Sequence, residues 1–410
     1  MKVIQLIIIL LCVLCIYGCG VFNIGNPTIH FWTNREEFLP YIEEFNKQHT
    51  HYKVELSLLR TLNDEFLSLQ NKPDLILCSL PEILIDHNNF DSLDGILSEA
   101  GIENDEVYQN LLKIGVYNGN QVLLPYSFDI PAIVFTKFDK ENLPDFSLSL
   151  DDLKKQSAKF TVFQGRRLKA LGFSPLWNHK FLFYTSMLFG ADFRYTADNI
   201  LIWDENALNS AVDYLRTWIN DELGGYAVER EFSKKYIYEP PYKLVQDNKF
   251  GYYRIGFFFT TISEYYEIPQ QKRKNLEFRW LHYNDKIPVT EKILVFAVPS
   301  GSKNSEGARA FLKWILKPEI QKQLVKIYTL HDHPYFGIAN GFSIIKDINK
   351  HYFPDYYPFL IGFVPPENSL VFPNQLPADW DKLKNEIIMN WLLEEIARTA
   401  KISSLKEKFK

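Results

Sequence analysis

The sequence predicts an α/β protein built as two lobes, and three observations predict it. Short β-branched and apolar runs alternate with segments whose apolar residues recur at helical spacing. The alternation starts afresh in a second block, after an extended stretch near residue 130. At 410 residues the chain is also longer than one hydrophobic core ordinarily serves.

The elements follow in order. Residues 28–32, Thr-Ile-His-Phe-Trp, read as a strand. Phe38, Tyr41, Ile42 and Phe45 then mark a helix with one buried face. Residues 54–59 give a second strand, 62–70 a helix, and 73–79 a third strand before a proline-containing turn. Strands joined through helices pair in parallel under helical layers, and ligands of such sheets lie beyond the strands' carboxyl ends. That directs attention to the residues after Trp32 and after Cys78. Residues 122–135 are two extended segments broken by polar residues. In the second block, Asp204 is placed to cap a helix carrying Ala211, Tyr214, Leu215 and Trp218, stopped by Gly224-Gly225. Residues 295–299 read as a strand and 301–305 as a turn. Ala308, Phe311, Leu312 and Ile315 stripe a helix that ends at Pro318, which opens the next. A last helix is expected over about residues 379–396.

Composition narrows the function. The formal net charge is −5 with no basic stripe interleaved with aromatics, which argues against nucleic acid as a partner. Aromatic residues make up 15%, an excess that suits a large core and also a ligand with flat apolar faces. Cys12, Cys15, Cys19 and Cys78 give neither a disulfide framework nor metal-ligand spacing, and Cys78 lies in an apolar run that reads as core. No nucleophile elbow, P-loop or H-E-x-x-H motif is present, and His331-Asp332-His333, on a turn before Pro334, reads as a polar loop. The expectation is therefore a binding protein, with no catalytic residue, metal or cofactor.

The N-terminal stretch reads as an address. Met1-Lys2 precedes an apolar run over residues 3–16, too short for a comfortable bilayer span but suited to a signal peptide. It ends in Ile16-Tyr17-Gly18-Cys19, which resembles the bacterial lipobox, with Tyr17 bulkier than the usual occupant. The resemblance implies lipidation of the Cys19 thiol, a signal peptide over 1–19 and a tether over 20–27. It places the protein in a bacterial cell envelope, anchored to a membrane by lipid and facing the periplasm or the exterior.

Four segments, in order, resemble the family 1 extracellular solute-binding proteins, the maltose- and sugar-binding receptors of ABC importers. They are Phe31-Trp32-Thr33-Asn34 with its following helix and strand, Pro73-Asp74-Leu75-Ile76, Leu124-Pro125-Tyr126-Ser127-Phe128-Asp129, and Ala297-Val298-Pro299-Ser300-Gly301-Ser302-Lys303-Asn304 leading into Phe311-Leu312-Lys313-Trp314. The match spans roughly residues 28 to 345, while the segment 248–256 is bulkier than the family pattern. The resemblance implies a two-lobed periplasmic-binding-protein fold, each lobe a mainly parallel sheet flanked by helices, with a hinge between. Lobe one is expected over 28–128 plus about 288–338, and lobe two over 129–287 plus about 339–410. The implied partners are a small solute, most of all a carbohydrate, and the transmembrane subunits of a permease, with the receptor a monomer.

The resemblance also implies a site. Asn34 and Arg35 follow the first strand, Ser79 and Glu82 the third, and Asp129 stands at the crossing between lobes. Trp177 and Asn178 offer an aromatic platform and a polar neighbour, with Phe258, Phe259, Thr260 and Tyr265 across from them and Tyr335 after the return to lobe one. Trp32, Trp203 and Trp280 read as core, each lying in or beside an apolar run. A shortage of Lys and Arg near the cleft favours a neutral sugar over a phosphate. The other class is a surface lipoprotein of the same fold that binds a macromolecule.

Overall fold

The computed structural model describes residues 26–60, 72–80, 89–196, 200–246, 254–330, 335–374, 376, 379–398 and 400–409. Cys19 and the signal segment, the helix expected at 62–70, Glu82, His331-Asp332-His333 and most of the bulky segment 248–256 lie outside the described residues. Among the described residues no helix is long and apolar enough to cross a membrane.

Two main sheets are formed by β1 (Thr28–Thr33), β2 (Lys53–Leu58), β3 (Leu75–Ser79), β4 (Leu124–Phe128), β5 (Pro131–Thr136), β6 (Ser147–Ser149), β7 (Phe258–Thr261), β8 (Leu276–His282), β9 (Leu294–Ala297) and β10 (Phe342–Ser343). The first sheet has the order β10-β4-β9-β3-β1-β2 and the second β7-β5-β8-β6. The helices that matter for the site and its support are α1 (Leu39–Gln48), α2 (His179–Leu188), α3 (Glu205–Leu223), α4 (Ile262–Glu267), α5 (Ser305–Leu316), α6 (Pro318–Leu330) and α7 (Met389–Ala397).

The sheets are mixed, where mainly parallel ones were expected. β1 pairs in parallel with β2 and β3, but β9 runs antiparallel to β3 and β4, and β10 antiparallel to β4. In the second sheet only β8 and β6 are parallel. The reason is the route of the chain. A parallel neighbour needs a long crossover, whereas β9 enters sheet one directly from a segment crossing between lobes. The interlobe edge of that sheet therefore gathers the ends of β1 and β4 and the beginnings of β9 and β10. Strand β10 joins the first sheet a few residues beyond the boundary expected at 338.

Three crossings lie side by side. The Thr290 amide donates to the Asp129 carbonyl (2.9 Å), and the Val289 amide donates to the Val371 carbonyl (2.9 Å). Ile287 and Pro288 pair in parallel with Leu370 and Val371. The hinge is thus a narrow hydrogen-bonded ribbon, not a set of loose linkers.

Most of the aromatic excess is core. Phe31, Phe38, Tyr126, Phe296 and Phe311 are fully buried in lobe one, with Phe31 and Phe38 in edge contact at 5.9 Å. In lobe two, Phe181 packs on Phe173 (4.8 Å), Trp218 (6.0 Å) and Phe259 (5.5 Å). Each such ring contributes about 2 kcal/mol through burial. Trp280 is fully buried and donates to the Phe363 carbonyl, as its apolar run predicts, while Trp32 and Trp203 pack half-buried against the core.

The helix signals hold locally. Phe38, Tyr41, Ile42 and Phe45 are all buried. The Asp204 side chain accepts from the Ala207 amide, and α3 stops where Gly224 takes φ 71°, a left-handed conformation that glycine adopts without strain. The last helix departs from expectation, with a π-helical stretch over Leu383–Ile388 ahead of α7. The wider turn comes where Lys384 points inward to a buried partner.

Candidate functional site

Where the two sheets face each other, the hinge ribbon forms the floor of a polar cavity of about 270 Å³. Arg35 reaches it from the end of β1, Ser127 and Phe128 from β4, and Ala339-Asn340 from the approach to β10. Lobe two supplies Lys180 and Tyr184 on α2 and Ser263, Glu264 and Glu267 on α4, while Asp129, Thr290, Glu291 and Lys292 come from the crossings. One hydrogen bond spans the lobes at the rim, from the Asn340 side-chain amide to Glu267 (3.1 Å).

Asp129 anchors the floor. Its carboxylate accepts from the Ile130 amide (2.8 Å) and from the hydroxyl and amide of Ser263, and it is only 9% exposed. Burial pushes its carboxyl up to about 6, with the nearby Glu264 charge adding to the rise and the Ser263, Thr261 and Ile130 donors opposing it.

Two ion pairs stand beside it. Lys180 contacts Glu264 at 3.0 Å, and Glu264 also accepts from the Thr260 hydroxyl (2.9 Å). Burial would raise Glu264, but Lys180 and these donors hold it below the usual carboxylate range. Deeper in, Glu291 pairs with Lys384 and accepts from the Tyr184 hydroxyl (2.6 Å). Burial again works upward on Glu291, and the Lys384 ammonium with the Tyr184 hydroxyl outweighs it. Five carboxylates and four cationic groups line the cavity, so it holds charge of both signs in near balance. This corrects the expected shortage of Lys and Arg: the cations are present, but Lys180 and Lys384 are each matched by a carboxylate.

A second cavity of about 470 Å³ adjoins the first, with Lys180 bordering both. Its lining is aromatic and apolar, including Trp177, Phe257, Phe258 and Phe259. Trp177 is half-buried with Phe232 beside it, which leaves ring surface toward the cavity rim.

The structure brings together six of the residues expected from sequence: Arg35 and Asp129 in the polar cavity, and Trp177, Asn178, Phe258 and Phe259 in the aromatic one. Asn178 also caps α2, accepting from the Lys180 amide (3.0 Å). Thr260 lines neither cavity and instead holds Glu264. Asn34 sits half-buried beside Arg35, and Ser79 is buried in the sheet opposite Leu294, and neither lines these two cavities. Tyr265 is a core residue, 3% exposed and packed on Phe278 and Phe359, because the first turn of α4 directs it away from the cleft. Tyr335 lies on the outer face against α1, bonded to Glu36 (3.1 Å).

Sequence reasoning missed Lys180, Tyr184, Ser263, Glu264, Thr290, Glu291 and Lys384. The Thr261-Ile262-Ser263-Glu264 spacing is a capping box, a signal that fixes the start of α4 and aims its first turn at the cleft. The hinge and C-terminal residues carry no such local signal.

No family model matches the chain and no curated protein does. Solved structures do. The sugar-binding protein MalE of Xanthomonas citri superposes with a TM-score of 0.72 at 10% identity, covering 93% of this chain and 95% of that one. The cyclic α-maltosyl-1,6-maltose binding protein of Arthrobacter globiformis gives 0.66 at 16% identity, covering 94% and 97%. A sugar transporter of Rhizobium etli in an open conformation gives 0.65 at 15% identity, covering 93% and 98%. The chain therefore has the two-lobed fold of the periplasmic sugar-binding proteins over nearly its whole described length.

Proposed function

We propose that the chain is the solute-binding receptor of an ABC importer and captures a carbohydrate between its lobes. The observation that carries this is the polar cavity on the hinge ribbon, bordered through Lys180 by an aromatic cavity in lobe two. One is lined by carboxylates, hydroxyls and ammonium groups, the other by aromatic faces. A sugar presents those two characters, with hydroxyls around its edge and apolar C–H patches on its faces. The near balance of charge in the polar cavity suits a neutral ligand better than an anion. That the structural neighbours named above are sugar-binding proteins supports the same reading.

In this account Asp129, Arg35, Ser263 and Glu264 hold hydroxyls, while the half-buried Trp177 offers a ring face to the sugar. Rotation about the hinge ribbon closes the lobes, and the closed form is what the permease recognises. The site performs no bond-breaking step. Its carboxylates near Asp129 are engaged in hydrogen bonds and ion pairs that fix their positions. We place the protein in a bacterial envelope as a monomer held to the membrane by lipid on Cys19, a reading that rests on Ile16-Tyr17-Gly18-Cys19.

The test is a thermal-shift screen of the soluble form beginning at Gly20 against sugars, polyols and small phosphates. A ligand bound only by the folded protein stabilises it by about 2.7 kcal/mol at a hundredfold excess over Kd. A shift with one class of sugar is the expected result. A shift only with phosphates contradicts the sugar reading, and no shift with any small solute favours a macromolecular ligand.

A further inference from the structure

Thr290 lies on the second interlobe crossing and lines the polar cavity. Its backbone is fixed, because its amide donates to the Asp129 carbonyl (2.9 Å) while the preceding Val289 donates to Val371. Its hydroxyl has no such bond among the described residues, and Thr290 is 2% exposed. A buried hydroxyl left without a partner is costly, by more than a typical hydrogen bond gains. A valine of the same shape would avoid that cost. The neighbouring polar groups have partners: Asp129 takes Ser263 and the Ile130 amide, and Glu291 takes Lys384 and Tyr184.

We infer that the Thr290 hydroxyl is a ligand-binding group, and that with the Asp129 carboxylate it forms a fixed hinge floor that receives one sugar hydroxyl. The inference rests on the proposed sugar site and adds to it a specificity-determining residue. A ligand hydroxyl placed there donates to the free lone pairs of Asp129 and accepts from Thr290. Both contacts use one O–H group, so a neutral hydroxyl satisfies the floor, whereas a carboxylate or phosphate brings its negative charge against that of Asp129. Both residues sit on adjacent crossings joined by the bond from the Thr290 amide to the Asp129 carbonyl, which keeps the two groups neighbours. A ligand lacking this hydroxyl loses affinity.

The experiment titrates the Gly20 form with maltose, maltotriose, mannobiose and mannotriose, for the wild type, Thr290→Val and Thr290→Ser. Thermal unfolding without sugar checks that each variant folds. The expected result is that whichever of these sugars binds the wild type binds Thr290→Val about tenfold or more weakly, while Thr290→Ser stays within about threefold of the wild type. Equal affinity in wild type and Thr290→Val overturns the inference and leaves the sugar site standing. An equal loss in Thr290→Ser and Thr290→Val also overturns it, since the hydroxyl is then not the determinant. Silence of the wild type toward all four overturns it together with its premise for these sugars, which separates the two failures.

Discussion

Asp129 shows how a single side chain joins the hinge to the site. It leaves sheet one at the first crossing, its carbonyl holds Thr290, and its carboxylate faces the cavity. Its raised carboxyl has a definite consequence for stability. A folded-state value of about 6, above the ordinary 3.8, means that folding disfavours the ionised form. The contribution is favourable in acid and is lost as pH rises toward and through the folded value. The free-energy difference between Asp129→Asn and wild type should therefore move in favour of the variant by up to about 3 kcal/mol between about pH 4 and pH 8. Denaturant unfolding across that range measures it, and a difference independent of pH contradicts the assignment. Lys384 gives a second case, with Lys384 and Glu291 side chains only 8% and 4% exposed. Lys384→Met should destabilise by about 3–5 kcal/mol because it leaves a buried carboxylate unpaired. Adding Glu291→Gln should restore much of that loss, and equal destabilisation in single and double variants would contradict it. At this scale Arg35 was indicated by its place after the first strand, and Asp129 and Trp177 by the family resemblance. Thr290, Glu291 and Lys384 were not, since their roles exist only once residues distant in sequence, Thr290 with Asp129 and Glu291 with Lys384, are folded together.

At the scale of elements, two of the motifs that resemble the sugar-receptor family, residues 73–76 and 297–304, prove to form a joint of lobe one. Asp74, in Pro73-Asp74-Leu75-Ile76, is 1% exposed. It accepts from the His30 amide (2.9 Å), the Ser302 hydroxyl (2.7 Å) and the Asn304 amide (2.9 Å). Asn304 in turn caps α5 through the Gly307 amide and donates to the Thr28 carbonyl. One carboxylate thus ties β1, β3 and the start of α5 together, far in sequence and away from both cavities. Asp74→Ala should lower stability by about 2–4 kcal/mol, since it strands buried donors, yet leave sugar affinity of the folded protein within about twofold. Loss of affinity at unchanged stability would show that this joint belongs to the site instead. The helical stripes were readable because a buried face imposes its period on the sequence. The π-helical turn before α7 and the antiparallel direction of β9 were not. The first falls where Lys384 pairs with Glu291, and the second follows from a strand arriving from the other lobe.

The whole molecule is two mixed sheets joined by a three-crossing ribbon, with the polar floor of the cleft built on that ribbon. A few connecting residues of this kind can absorb the rotation of one lobe against the other, and this is what a receptor that closes on its ligand requires. Scattering in solution should accordingly show the radius of gyration falling when a bound sugar is present, whereas an unchanged radius would contradict closure. The two-lobed organisation was legible from the repeated α/β blocks, while the cleft chemistry emerged only from the packing of α2 and α4 against the crossings. The measurement that bears most directly on the central claim is an equilibrium titration of the Gly20 form with oligosaccharides, followed by tryptophan fluorescence, for wild type, Asp129→Ala and Trp177→Ala. Saturable binding that weakens at least about tenfold in each variant, or about 1.4 kcal/mol, is the predicted result. Binding unaffected by either substitution, or no saturable binding to any sugar, would contradict a carbohydrate site in the interlobe cleft.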